Sequence, residues 1–413
     1  MLLTFVRKKV PCDYAWIILS VMFLSLLASF GARASFGAYI GPWENEFATT
    51  RAVVTSVSFL SFVVFALGQP LAGKLLDYIG GRLVVAGSMA LVAVCLLLTA
   101  QAQQVWQLFL YYGLGFSLGI SGCSNVITTA IIARWFEARK GFAIGLTLAG
   151  MAVGQLVMVP VALFLINRFN WRIAMSLIGL VILVVVVPLI AFFVRSRPED
   201  MGLLPYGARN TDKTAAGGSV HVAAPQASLW AVLRLREFWF LTVSYFICGF
   251  TDVGLIQTHL IPLVQDKGFA VTTVALTFSS IALFNILGTV GTGYLSDHLH
   301  RGRQLGWIYA IRAATFLLLL LTKTPALLLP FTVIYGMTEM ASIAPTSALT
   351  ASLFGQYSLG TILALVSVSH QLGGAFGSWV PGILYDLTGG YSFVLLLSIA
   401  LLVVSGIVVT RIQ

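Results

Sequence analysis

The sequence predicts an all-α membrane protein: twelve transmembrane helices arranged as two pseudo-symmetric six-helix bundles. Three observations carry that prediction. The 413-residue chain is 59% hydrophobic and only 9% charged, whereas about a quarter of the residues in soluble domains are charged, so its main solvent is a bilayer. Its apolar runs repeatedly reach the roughly 20 residues that a hydrocarbon core about 30 Å thick demands of a helix, far longer than a β-barrel strand. A shift of 220 residues superposes Phe30 on Phe250, Pro42 on Pro262, Gly68 on Gly288, Gly73 on Gly293 and Asp77 on Asp297, and at 221 Pro160 meets Pro381, which marks an internal duplication.

The spans read in order as 15–40, 51–72, 83–101, 106–133, 141–165, 172–194, 237–264, 272–294, 305–322, 326–352, 359–384 and 391–411. The first is too long for a signal peptide and lacks a small-residue cleavage site close behind it, so it reads as an uncleaved helix. One long polar stretch, 195–236, holds Pro198, Pro205, Gly207, Gly217, Gly218 and Pro225. It divides the chain into an N-terminal bundle 1–194, a cytoplasmic linker 195–236 and a C-terminal bundle 237–413. Two parallel six-helix repeats with a polar site between them near the midplane is a plan used by membrane transporters.

The formal charge of +10 does not point to nucleic acid, because its placement follows loop sidedness. With the N-terminus inside, 17 of the 24 Lys and Arg fall in the tail, the even-numbered loops or the C-terminus, and only Arg51, Arg168, Arg172, Lys267 and Lys323 fall on the other side. The positive-inside rule therefore predicts an inner (plasma) membrane protein with both termini in the cytoplasm. Cys95, Cys123 and Cys248 lie in hydrophobic segments and Cys12 precedes the first, none at metal-ligand or disulfide spacing. They read as small apolar fillers, and neither a metal nor a cofactor is expected. No clustered His, Cys and Glu set and no Gly-flanked serine points to an enzyme, and the tail, linker and C-terminus are too short for a sensor's signalling domain.

Four full charges lie within spans: Arg33 in the first, Asp252 in the seventh, Arg312 in the ninth and Glu339 in the tenth; His259 and His370 add titratable rings. A mid-membrane charge costs roughly 2.5 to 3.5 kcal/mol on an insertion scale, so these groups should face a cavity or each other. At the repeat offset Arg33 corresponds to Val253, next to Asp252, which predicts an Arg33 to Asp252 contact on the outer side of the cavity. Glu339 either pairs with Arg312 or faces substrate. Tyr335, Glu339 and Ser342 form one polar stripe, and Ser117, Ser121, Asn125 and Thr128 another; such stripes line a cavity or bond between helices. His370 titrates near neutrality and is a candidate proton carrier. Gly141, Gly145, Gly150 and Gly154 before Pro160, and Gly373, Gly374, Gly377 and Gly382 around Pro381, predict close helix packing with a secondary part in rocking.

The clearest local motif is GKLLDYIGGR, Gly73 to Arg82, with a degenerate second copy GYLSDHLHRGR, Gly293 to Arg303. It resembles the cytoplasmic loop motif of the major facilitator superfamily. ARASFGAYIGPW in span one, RWFEARKGFAIGLTLAG entering span five, RSRPEDMGLLPYG after span six, HQLGGAFG and YDLTGGYSF make nearly the whole chain similar to the bacterial branch of the monocarboxylate and oxalate:formate porters. The resemblance implies a major facilitator fold in which 1–194 rocks against 237–413, moving a small organic anion by proton symport or anion exchange, with the transporter working as a monomer. It implies that Asp77 and Asp297 latch the cytoplasmic side with Arg82 and Arg134 as cationic partners, and that His370, in the HQLGG motif, faces the cavity. Asp252, Glu339 and His370 become the proton-coupling candidates; Arg33, Asn125, Asn285, Thr289, Tyr335, Glu339 and His370 the substrate-binding ones. One departure stands out: the family places an arginine four residues after Asn285, where this chain has Thr289. Either Arg33 or another group holds the anion instead, or the solute is amino-acid-like, neutral or amphiphilic.

Overall fold

The structure, a computed structural model, describes residues 14–208, 229–296, 299–354 and 359–412. Eleven helices in it are long and apolar enough to cross a membrane: α1 (Tyr14–Glu46), α2 (Arg51–Ile79), α3 (Gly81–Thr99), α4 (Val105–Trp135), α5 (Lys140–Arg168), α6 (Trp171–Phe193), α7 (Arg236–Asp266), α8 (Val271–Thr289), α9 (Arg301–Leu321), α10 (Pro325–Phe354) and α12 (Ser392–Thr410). Between the last two lies α11, Leu359–Thr388, a 30-residue helix whose middle carries Ser367, Ser369, His370 and Gln371. It has the length to span, and these polar residues dilute its apolar character. Helix α8 continues as helix to Ser296.

Several helices outrun the predicted spans. Hydrophobicity stops at the edge of the hydrocarbon, but backbone hydrogen bonding does not, so α1 continues through Pro42 to Glu46 and α2 to Ile79. The turn from α2 to α3 is made by Gly80 at φ +85°, a left-handed conformation that a side chain resists. Asn170 caps α6 by accepting from Ile173 N at 2.8 Å.

Two buried cores follow the duplication. One runs from Ala15 to Val194. The other runs from Val232 to Ile412 and takes in only Ala34, Ala38, Val159 and Leu163 from the first half, which marks where α1 and α5 meet the second half.

Breaks in helix geometry recur at equivalent places in the two halves. Helix α1 is interrupted at Ser35, and α7 winds into a π-helical stretch at Phe250–Ile256. Helix α4 has a π-helical stretch at Phe109–Phe116 and an interruption before Asn125, and α10 breaks between Glu339 and Ile343. A broken helix frees backbone carbonyls inside the membrane, which is tolerated only where protein groups or a cavity satisfy them. Three of the four charges within spans sit at these breaks, Arg33 two residues before one, Asp252 within one and Glu339 at the edge of one, whereas Arg312 lies in the unbroken α9.

The glycines divide. A side chain at Gly154 would collide with the Leu27 carbonyl of α1, and one at Gly373 or Gly377 with the Phe246 and Phe250 carbonyls of α7. Gly141 and Gly145 face open space, whereas a side chain at Gly382 would meet Thr55 and the backbone of α2, so the expected close packing fails only at the start of α5.

Candidate functional site

Arg312 of α9 is fully buried and is the centre of the second half. Its Nε donates to Thr338 O at 3.0 Å, and its Nη2 to both Thr338 O and Glu339 O. Both carbonyls lie at the break in α10, where Thr338 O also accepts from Ala341 N at 3.3 Å. Its Nη1 donates to Cys248 Sγ at 2.9 Å, and the Asp252 carboxylate lies 3.9 Å from the guanidinium. Tyr335 Oη donates to Asp252 Oδ1 at 2.8 Å. Asp252 therefore answers to Arg312 and Tyr335, and the expected contact with Arg33 does not form. Repeat symmetry places helices in register, but the nearest buried cation to Asp252 lies in its own half.

This packing also brings Cys248, Asp252 and His370 together, with their ligand atoms within 4.8 Å of one another. Cys248 and Asp252 are one turn apart on α7, and His370 comes from α11, so the sequence spacing carries the first two but not the third. Two of the three already face Arg312: Cys248 Sγ accepts from its Nη1 and the Asp252 carboxylate lies 3.9 Å from its guanidinium. Cys248 is thus a hydrogen-bonding partner, not the apolar filler expected from sequence. His370 stacks on the Tyr245 ring with centroids 4.4 Å apart.

The Glu339 side chain takes a different course from its carbonyl. Its Oε2 accepts from Asn285 Nδ2 at 2.7 Å, its Oε1 from Gln257 Nε2 at 3.5 Å, and Thr289 Oγ1 donates to Asn285 Oδ1 at 3.1 Å. Arg312 holds the backbone of Glu339 and leaves the carboxylate to amides. The carboxylate is buried with no ion-pair partner among the described residues, so a proton is the simplest means of neutralising it.

Arg33 lies in the first half with its guanidinium carbon 4.3 Å from the ring centres of both Phe62 and Phe65. Its Nη2 is buried without a hydrogen-bond partner, as is Tyr112 Oη. Both residues line a narrow pocket with Ser58, Ser61 and Phe62 of α2 and with Val253, Gln257 and Thr258 of α7. The pocket lies between the halves, and its volume of about 10 Å³ admits about one water. Gln257 both lines this pocket and donates to Glu339, a link that nothing in the sequence singled out.

The remaining candidates scatter. Ser117 donates to Ser61 Oγ at 2.5 Å and Ser121 to Phe65 O at 3.3 Å, so this part of the α4 stripe bonds between helices. Asn125 is exposed and its Oδ1 accepts from Val126 N at 3.0 Å, away from the Arg33 pocket. Asp77 pairs with Arg134 of its own half at 3.3 Å, and its side chain is 77% exposed. Arg82 lies in a separate cleft with Arg195, and Asp297 is outside the described residues.

On the face opposite the termini, the halves are tied by a residue that sequence counted only as an outlying charge. Arg51, at the start of α2, donates from Nε to Glu44 at 2.6 Å and from Nη1 to Asp266 at 2.8 Å and Tyr391 Oη at 3.1 Å. Its ring neighbour is Tyr385, 3.8 Å away. Asp386 accepts from the amides of Arg51 and Ala52 at 3.2 and 2.8 Å, capping α2 from the other half. Behind this cluster His259 bridges Tyr391 Oη and Ser378 O at 2.9 and 2.7 Å, a structural position.

The profile of the Major Facilitator Superfamily matches residues 21–377. Rat "Monocarboxylate transporter 13" is 27% identical, over 98% of this chain and 91% of its own length. The "Uncharacterized MFS-type transporter YcxA" of Bacillus subtilis is 22% identical over 95% and 94%. In fold the chain is similar to a bacterial homologue of the lysosomal transporter Spinster in an inward-facing, unoccupied conformation, with TM-score 0.74 at 17% identity over 98% and 97% of the two chains. It is similar also to a D-xylose-proton symporter, with TM-score 0.74 at 16% identity over 97% and 98%. With twelve span-length helices, two cores and a profile match along most of its length, the chain is a multi-pass membrane transporter, not an enzyme, and belongs to the major facilitator superfamily.

Proposed function

We propose that this transporter carries a small monocarboxylate-like organic anion across the inner membrane, with 1–194 and 237–413 rocking about a site between them and both termini in the cytoplasm. The observation that carries the reading is Arg33: a guanidinium sandwiched by two rings, with a buried, unpartnered Nη2 aimed at the pocket between the halves. Its faces are occupied, so an anion must approach in the guanidinium plane, the geometry that suits a carboxylate. The likeness to monocarboxylate transporters supports the same class, and Arg33 fills the role left open by Thr289.

Glu339 is the proton carrier in this reading, ahead of His370 and Asp252. Asp252 is engaged by Arg312 and Tyr335, whereas Glu339 is held only by the amides of Asn285 and Gln257. Importing a monoanion against an inside-negative potential costs roughly 2.3 kcal/mol per 100 mV, and a co-transported proton cancels it. The narrow pocket and the Arg51 cluster on the outer face together describe the sealed half of an alternating-access cycle, and Asp77 and Arg134 act at the opposite edge. Binding of substrate requires the pocket to widen.

The test is thermal stabilisation of purified protein by lactate, pyruvate and related acids, followed by counterflow in liposomes. Wild type should respond and Arg33→Gln should lose both responses while keeping its unliganded melting temperature. Full lactate counterflow in Arg33→Gln would sink the reading. A second reading, a neutral polar solute, is favoured by one observation: Asn285, Gln257 and Thr289 form an uncharged hydrogen-bonding set around Glu339. Stabilisation by polyols or neutral amino-acid analogues with none by carboxylates would select it.

A further inference from the structure

Arg82 ends the loop motif yet takes no part in the Asp77 to Arg134 pair. It has no hydrogen-bond or ion-pair partner among the described residues. It lines a cleft of about 410 Å³ between the start of α3 and the segment following α6, together with Ile79, Leu83, Ala86, Ala191, Arg195, Ser196 and Asp200. The cleft is built, because its two walls are fastened to each other and to α4. Gly81 N donates to Ser196 Oγ at 2.7 Å, Trp135 Nε1 donates to Arg195 O at 3.0 Å, and Tyr206 N donates to Trp135 O at 2.8 Å. The apolar side of the cleft is open sideways: Leu83 is 62% exposed and Ile79 43%, on helices whose outer faces contact acyl chains. Its charged end lies at the membrane edge on the side of the chain termini. There two guanidinium groups face one carboxylate, a balance of one positive charge.

We infer that this cleft binds the headgroup of an anionic phospholipid, with Arg82 and Arg195 on the phosphodiester and the acyl chains lying along Ile79, Leu83 and Ala86. Three features select a lipid: cations at the edge, apolar walls below them and an opening toward the bilayer. Basic pockets between helices at this depth suit such headgroups. One net positive charge matches one phosphodiester. Arg195 already donates from Nη1 to Val194 O at 2.8 Å, which orients it, and Asp200 Oδ2 accepts from Arg197 N at 3.1 Å, which holds the carboxylate on its own loop. A lipid seated there would brace the α2 to α3 turn against the segment after α6.

The test titrates the purified full-length protein with short-chain phosphatidylglycerol and reads the melting temperature. Phosphatidylcholine of the same chain length and inorganic phosphate form separate arms. Phosphatidylglycerol should stabilise, with its half-saturating concentration raised about fivefold by each of Arg82→Gln and Arg195→Gln. Arg82→Lys should retain most of the response, and Asp200→Asn should lower the half-saturating concentration, an effect that a merely structural role would not produce. An unchanged response in the Arg82→Gln, Arg195→Gln double variant would overturn the inference, as would equal stabilisation by phosphatidylcholine or full reproduction by inorganic phosphate. A measurement on wild type alone guards against misfolded variants. Phosphatidylglycerol bearing a photoreactive group near its headgroup should label residues 79–86 and 191–200, and labelling confined to other segments refutes the site.

Discussion

Arg312 and Glu339 are buried charges under opposite constraints. The Arg312 guanidinium has Asp252, Cys248 and two carbonyls of the broken α10 around it, so removing it leaves the Asp252 carboxylate without its cation and the Glu339 carbonyl without that donor in the protein interior. Breaking a buried pair from one side costs about 3 to 5 kcal/mol, more than the pair itself contributes. Arg312→Leu should therefore fall far in melting temperature, and Arg312→Leu with Asp252→Asn should recover part of the loss. A single variant as stable as wild type would show that the pair does not hold the half together. Glu339 has amides in place of a cation, so Glu339→Gln, which resembles the protonated side chain, should keep its fold and exchange activity. It should lose accumulation driven by an inward proton gradient in liposomes. Asp252 and Arg312 from α7 and α9 and Tyr335 one turn away face the same region, and their unchanged contacts provide the control. Undiminished proton-driven accumulation in Glu339→Gln would assign coupling to another group.

Among the helices, what matters is how closely two backbones approach. The contact of α11 with α7 leaves no room for a Cβ at Gly373, so Gly373→Val must push the helices apart, at a cost of about 3 kcal/mol or more. Gly145 in α5 meets nothing within 4 Å, and Gly145→Ala should be stabilising by about 0.5 to 1 kcal/mol through helix propensity alone. Thermal unfolding of the two variants in one detergent checks the contrast, and equal effects would contradict the assigned packing. A second element-scale device is Lys267, whose Nζ donates to Leu319 O, Leu320 O and Thr322 O at 3.0, 3.3 and 2.9 Å. It closes the C-terminal end of α9, where a cation also meets the helix dipole. Lys267→Met should lose about 1 to 2 kcal/mol of stability, read as a lower melting temperature.

For the molecule as a whole, the Arg51 cluster is the most concentrated polar link between the halves. Arg51 and Glu44 belong to one half, Asp266, Asp386 and Tyr391 to the other. In the proposed orientation and rocking cycle this face is the outer one, and its opening would break the second set while Glu44 keeps the arginine neutralised. Asp266→Asn with Asp386→Asn should therefore shift the population toward an outward-open state. A cysteine introduced at Ala38, buried beside the seam, should then react faster with a membrane-impermeant thiol reagent added outside, by about tenfold for each 1.4 kcal/mol of seal removed. Unaltered labelling would mean that the apolar seam, not the ion cluster, keeps this face shut.

Composition, apolar run length and the 220-residue repeat determined the solvent, the helix count and the duplication, because each depends only on local hydrophobicity and chain order. The loop motif determined the superfamily, and the cost of mid-membrane charge picked out Arg33, Asp252, Arg312 and Glu339 as a set. Which of them meet was decided by tertiary structure alone. Whether Arg312 reaches a carboxylate or a carbonyl depends on where α10 breaks, and sequence spacing carries no record of the carbonyls there. The approach of His370 to Cys248 and Asp252, the part of Gln257 and the position of Arg51 between two halves are likewise contacts between residues far apart in the chain. Periodicity reports which face of a helix is polar, while the partner across that face is set by packing.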